Sequence, residues 1–453
     1  MSDTPDTERN RFAARASRYG RVGTNLGGAA LRMAGQRLFG ADDDRAAAAA
    51  LTAALGNLKG PIMKVAQLLA TIPEALPAEY AEELSQLQSN APPMGAAFVK
   101  RRMAAELGAD WEKRFAAFDR TPAAAASLGQ VHRARLHDGR DVAVKLQYPD
   151  MQSAVEADLR QLDIAFSVHR RFRPAIDTRE IFKEIADRIR EELDYEREAR
   201  HARLYAQILG SGDLVRVPGV HADLSTRRLI TLDWLEGEKL LDFKTAGQDV
   251  RDRLATAMFK AWWHPFAHVG IIHGDPHLGN YTAFRNADGE PAGINLLDYG
   301  CIRIFPPSFV LGVVELYRGL KAGDMDRIVS AYETWGFRGL TKDLIEALNI
   351  WARFIYGPLL DDRVRTVADG VSPGSYGRAE AFRVHTALKE KGPVTVPREF
   401  VFMDRAAIGL GGVFLHLDAA LNFHRLFEAE IEDFDLSTLT MRQDEALKAV
   451  GLR

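Results

Sequence analysis

Residues Ile271 to Gly300, IIHGDPHLGNYTAFRNADGEPAGINLLDYG, constrain this chain more than any other stretch. Asp275 stands five residues before Asn280, and a second acid, Asp298, follows across a segment that reads as a β-hairpin. Tyr281 to Phe284 and Gly293 to Leu297 supply its strands, and Asn286-Ala287-Asp288-Gly289 its turn. Phosphoryl transfer uses two carboxylates and an amide oxygen at this spacing. The first Asp receives or orients the nucleophile's proton, and the Asn holds magnesium. The later Asp, in a D-F-G-type turn that here reads Asp298-Tyr299-Gly300, holds the ion bridging the phosphates. The pattern occurs in more than one kinase-like family, so the upstream chain must decide.

Upstream, TPAAAASLGQVHRARLHDGRDVAVKLQYP reads as a loop of small residues and two strands, Gln130 to Leu136 and Asp141 to Gln147. Asp138-Gly139 in the turn between them is a hairpin signal. Small residues let backbone approach a phosphate. Ala123 to Ala126 stand where a protein kinase has glycines, which makes Ala124, Ala125, Ala126 and Ser127 candidate nucleotide contacts. The second strand delivers Lys145 in V-A-V-K, the motif whose lysine meets the α/β-phosphates. Alone, V-A-V-K is most often an edge strand with a solvated lysine; in kinase order with the later centre it points to nucleotide.

Such a lysine needs a carboxylate to hold it. Two helices are predicted next, Met151 to Phe172 and Thr178 to Leu209, the second capped by Asp177 and Glu180. The second carries EELDYEREAR, in which Glu198 is the candidate partner and Glu192 and Asp194 are further acids; a solvated charged face is the plainer reading of such a run. Val215 to Val220 and Arg228 to Trp234 read as strands that close this sheet, before a helix from Asp249 to His268 whose Trp262, Trp263 and Phe266 read as core. Residues 305–453 read as mostly helical, with no reactive constellation.

At 453 residues the chain has room for a two-lobed unit with extensions. A formal charge of -3 gives no overall bias towards nucleic acid, and none is expected as a partner. Cys301, the only cysteine, rules out an intrachain disulfide and fits a reducing setting. No apolar run spans a bilayer; Phe400 to Leu417, interrupted by Asp404, Arg405 and His416, reads as a buried helix. From Arg9 to Arg37 seven arginines alternate with apolar residues. That segment fits a membrane-surface helix or a transit-like leader, and equally a solvated helix hinged at Gly27-Gly28. Lys64 and Gln67 share one face of the amphipathic segment PIMKVAQLLATIP.

Together these blocks resemble the UbiB/AarF/ADCK family of atypical protein-kinase-like proteins. Its K-x-G-Q motif corresponds to Lys64-Val65-Ala66-Gln67, its alanine-rich loop to AAAASLGQVH, its E-x-D element to Glu192-Leu193-Asp194, and its catalytic loop to HGDPHLGN. Ala66, Leu278 and Tyr299 depart from the family pattern, and none removes a charged or metal-binding group. The resemblance implies an α+β, bilobal protein-kinase-like fold with an N-terminal helical extension and a mostly helical C-terminal lobe. The expected division is a basic segment over 1–45, the extension over 46–120, an N-lobe over 121–237 and a C-lobe over 238–453. It also implies that Lys64 and Gln67 fold against Glu192 and Asp194 and shield the nucleotide.

The expected cofactors are ATP or ADP and Mg2+. Lys145, held by Glu198, orients the phosphates, Asn280 and Asp298 bind metal, and Asp275 serves the acceptor. The implied role is an atypical kinase or ATPase supporting isoprenoid-quinone biosynthesis or lipid homeostasis, with a lipid or quinone precursor as a partner. The expected location is cytoplasmic, with peripheral membrane contact through the Arg-rich N-terminus, or mitochondrial in a eukaryote. Two alternatives stand beside it: an aminoglycoside- or choline-kinase-like phosphotransferase, and a nucleotide-gated lipid- or partner-binding protein without transferase activity.

Overall fold

The computed structural model describes residues 95–126, 128–149, 151–157, 159–160, 163, 183, 186–187, 189–210, 212–368 and 398–453. Lys64, Gln67, Ser127, the Arg-rich segment, and most of residues 158–188, which hold the later part of the first predicted helix and the start of the second, lie outside the described residues. Two units pack separately, one ending at Glu198 and including Val220–Trp234, the other comprising Ala199–Gly219 and Leu235–Arg453.

The first unit follows from alternation. Helix α1 (Ala96–Leu107) is followed by strands β1 (Ala117–Phe118), β2 (Ala124–Ala126), β3 (Gly129–Arg135) and β4 (Asp141–Gln147). Along β4, Val142, Val144 and Leu146 are fully buried, while Ala143 and Lys145 point to the opposite face. Val99, Met103, Trp111 and Phe115 complete that core. Each fully buried apolar side chain contributes about 1.5–3 kcal/mol. β4 pairs antiparallel with β3 and with β6 (Leu229–Asp233), giving the order β1-β3-β4-β6 with β2 on the far end of β3. The alanine segment is thus no free loop. Ala124–Ala126 form a strand paired with Gly129–Val131, because β3 offers its edge there beyond the short β1. Gly129 cannot carry a side chain, since a Cβ would lie 2.0 Å from the Leu146 carbonyl oxygen.

His132 is buried in this sheet, stacked on Phe118 at 5.2 Å. Its Nδ1–H donates to the Asp119 carbonyl at 2.8 Å, and Nε2 accepts from the Gln130 amide at 2.8 Å. Burial lowers its pKa from the ordinary 6.5, outweighing the Asp119 contacts. The folded state therefore holds His132 neutral. Its stabilising effect is full above 6.5 and is lost as pH falls from there through the depressed folded value. Thermal melts between pH 7.5 and about 5 are expected to fall more steeply for the wild type than for His132→Gln, which does not titrate.

The helix predicted as continuous to Leu209 is broken. Residues 192–194 form a turn, and helix α2 (Tyr195–Leu209) starts afresh. Asp194 causes the restart: its Oδ1 accepts the Arg197 N–H at 3.0 Å, as a capping carboxylate does. The turn is pinned by Gln147 Nε2 donating to the Leu193 carbonyl at 2.7 Å and by the Tyr195 N–H donating to the Arg227 carbonyl at 3.0 Å.

The strand expected over Val215 to Val220 is split: Val220 makes an antiparallel bridge to Leu232 of the lysine sheet, whereas β5 (Val215–Arg216), in the second unit, pairs in parallel with β10 (Pro291–Leu296). Gly293 permits this, since a Cβ there would sit 2.1 Å from the Leu214 carbonyl oxygen. The sheet order is β5-β10-β9-β7, with β7 (Glu238–Lys239) and β9 (Tyr281–Arg285); β9 and β10 form the expected hairpin. Helix α3 (Gln248–Val269) buries Trp262, Trp263 and Phe266 and ends at Gly270, whose φ of 72° turns the chain into β8 (Ile271–His273). β8 pairs with β11 (Ile302–Ile304). Helices α4 (Pro307–Ala322), α5 (Met325–Trp335), α6 (Lys342–Leu360), α7 (Arg398–His416), α8 (Phe423–Ile431) and α9 (Leu436–Ala449) complete the unit. Asp324, Thr341, Asn422 and Asp435 cap α5, α6, α8 and α9. Among the described residues no helix is long and apolar enough to cross a membrane.

Candidate functional site

The lysine pair is built in the first unit. Lys145 Nζ lies 2.7 Å from Glu198 Oε1, with side chains 14% and 3% exposed. Its ammonium also stands 5.1 Å from the centre of the Tyr195 ring, a favourable cation–π contact. Glu198 sits in the first turn of α2, where the helix dipole favours a negative charge. Removing either partner of so buried a pair costs roughly 3–5 kcal/mol, because the other charge is left uncompensated. Ala124 and Ala125 are exposed and Ala126 is half-buried. Glu192 and Asp194 are both half-buried and lie in the turn before α2 rather than on a helix.

The acidic cluster belongs to the second unit and is organised by His273, which is 2% exposed. Its Nε2–H donates to the Asp298 carbonyl at 2.8 Å, while Nδ1 accepts the Asp275 N–H at 3.3 Å. One tautomer satisfies both contacts, so a single imidazole sets the backbones of the two candidate acids. Asn280 Nδ2 donates to the Asp275 carbonyl at 3.0 Å, which leaves its Oδ1 as the end suited to a cation. Asp298 Oδ1 accepts the Gly300 N–H at 2.8 Å, shaping the turn. Asp275, Asn280 and Asp298 thus form one connected hydrogen-bonded assembly.

The two departures in this region are accommodated. Tyr299 is fully buried, and its hydroxyl, absent from a Phe, donates to the Leu296 carbonyl at 2.8 Å. Leu278 opens a short 3-10 turn in which His277 Nδ1 accepts the Gly279 N–H at 3.1 Å, so no proline is needed to shape it. Tyr281 reports the local field. Burial, then electrostatic repulsion from Asp275 and neighbouring groups, holds its phenol well above the ordinary 10, so it stays neutral. Hard oxygen donors in a negative field are what Mg2+ requires.

Sequence reasoning assigned no role to His273, although its place two residues before Asp275 was a usable signal. It also missed His201, buried on α2, whose Nδ1–H donates to the Tyr299 carbonyl at 3.1 Å. Nothing in a run of charged helix residues marks one histidine as buried. A third omission is Glu430, in the region read as lacking reactive groups, which gathers His264 and His268.

Residues 86–332 match the family model described as the ABC1 atypical kinase-like domain. The chain belongs to this family. AarF domain-containing protein kinase 1 of Xenopus laevis is 32% identical over 272 residues, covering 60% of this chain and 52% of that protein. The atypical kinase COQ8, mitochondrial, of Saccharomyces cerevisiae is 30% identical over 262 residues, covering 58% and 52%. The chain spans about half the length of these curated relatives. A solved structure, that of the Rv3197–erythromycin complex from Mycobacterium tuberculosis, superposes with a TM-score of 0.59 at 28% identity, covering 90% of this chain and 97% of that one. The fold is accordingly the expected kinase-like α+β fold of mostly antiparallel sheets with a mostly helical C-terminal part.

Proposed function

We propose that this ABC1-family chain is an ATP-dependent atypical kinase or ATPase acting on a small molecule. The observation that carries this is the buried Lys145–Glu198 pair at 2.7 Å, since a solvated structural lysine has no need of a carboxylate only 3% exposed. Lys145 holds the α/β-phosphates, Asn280 and Asp298 hold Mg2+, and Asp275 orients or deprotonates a water or hydroxyl acceptor. Bound Mg2+ supplies charge neutralisation on the phosphates. His273 keeps the Asp275 and Asp298 backbones in register for these tasks. Ala124–Ala126 supply the small-residue approach to the nucleotide. Lys64 and Gln67, with Glu192 and Asp194, shield it, a reading that rests on the family resemblance. So do the isoprenoid-quinone or lipid substrate and a place at a membrane surface; the "mitochondrial" in one relative's name supports only the organelle expected for a eukaryotic source.

A second reading is a nucleotide-gated binder, for which the erythromycin complex of the M. tuberculosis relative is the supporting observation. Phosphate release by the purified chain with Mg-ATP, with and without anionic vesicles and a panel of alkylphenols, tests the choice. Hydrolysis is expected, faster with vesicles or phenols and lost in Lys145→Met. No hydrolysis under any condition, with nucleotide still bound, would favour the gated binder.

A further inference from the structure

His264 and His268 lie one turn apart on α3, and both face Glu430 of α8. His264 Nδ1 is 2.9 Å and His268 Nε2 3.3 Å from the same carboxylate oxygen, Glu430 Oε2. The three candidate ligand atoms all lie within 4.8 Å of one another. Two of these separations are near the ~3.3 Å edge of a tetrahedron with metal–ligand bonds of about 2.0–2.1 Å. The Glu430 side chain is 8% exposed, whereas His264 and His268 are 37% and 33% exposed, so the carboxylate is fixed and the imidazoles meet solvent. A carboxylate this buried needs positive charge beside it.

We propose that His264, His268 and Glu430 form a binding site for a divalent transition cation of the zinc type, with a fourth position open to water. Two imidazoles and one carboxylate suit Zn2+, whereas Mg2+ prefers an all-oxygen set. His268 lies in the last turn of α3, where the helix dipole also favours a cation. The cation ties α8 to the end of the helix that leads through Gly270 into β8 and His273. This site is independent of the nucleotide reading, since it uses none of the same side chains.

Arg442 sharpens the proposal. Its Nη1 lies 3.2 Å from His268 Nδ1, and as a donor it fixes the proton on Nε2, the atom the metal needs. Ligation through Nε2 moves that proton to Nδ1 and displaces the exposed guanidinium. Arg442→Gln removes the opposing charge and offers an amide oxygen to Nδ1–H, so it is expected to tighten Zn2+ binding several-fold. Misfolding cannot produce a tighter site.

The test is titration of the metal-free full chain with Zn2+ against a chromophoric chelator, in excess Mg2+ to occupy oxygen-rich sites. One equivalent is expected that is absent from the His264→Gln/His268→Gln variant, and Co2+ in its place is expected to give visible absorption bands that the variant lacks. Equal zinc stoichiometry in wild type and double variant, or no Co2+ bands in the wild type, would overturn the site. An unchanged or weaker affinity in Arg442→Gln would overturn ligation through Nε2.

Discussion

Asp298→Asn is expected to weaken Mg-dependent nucleotide binding on the order of 100-fold or more while leaving the fold intact. The substitution keeps an Oδ1 that accepts the Gly300 N–H, and the Asp298 carbonyl still accepts from His273. What it removes is the negative charge that would face a divalent ion under the proposed function. Equilibrium binding of a fluorescent ATP analogue, with Mg2+ and then with chelator, isolates that effect. Affinity in the variant should approach that of the wild type without metal. Metal-dependent affinity unchanged from wild type would sink the assignment of Asp298 as a ligand.

Asp275→Asn should behave in the opposite way. Its backbone contacts, the N–H to His273 and the carbonyl from Asn280, do not involve the side chain and survive the change. The amide cannot accept a proton, so turnover is expected to fall by roughly 10²–10⁴ with nucleotide affinity unchanged. Single-turnover phosphate release beside equilibrium binding separates the two. Equal turnover refutes the role, and a parallel loss of binding would mean that Asp275 serves as a ligand.

The two substitutions divide the assembly that His273 holds together, and that histidine explains why the site was only partly legible in the sequence. Asp275, Asn280 and Asp298 announce themselves by spacing and chemical type. A histidine two residues from an acid has many bland readings, and only the pairing of β8 with β11 brings it against the Asp298 carbonyl. The Glu198 partner was found because a kinase-type lysine demands a carboxylate. The break at residues 192–194 was not, because helix periodicity continues through it while the capping bond of Asp194 and the anchor from Gln147 depend on neighbours far along the chain. Of the strand read over Val215 to Val220, only the first two residues were assigned to the wrong sheet, for a similar reason: two residues carry no address, and their parallel partner lies some 80 positions away.

By itself the sequence determined the lysine hairpin, through alternation and a turn glycine, and the order of acid, amide and acid, through chemical type and spacing. These are local properties, written within stretches of about thirty residues. Tertiary structure alone decided that the alanine segment is a strand, that His273 and His201 are buried against the loop carbonyls, and that Glu430 meets His264 and His268. Each of those depends on which backbone edge or helix face is left open by packing at a distance. Hydrogen-bond partners of that kind have no periodicity, and a local cue such as the place of His273 beside Asp275 does not say which carbonyl it will meet.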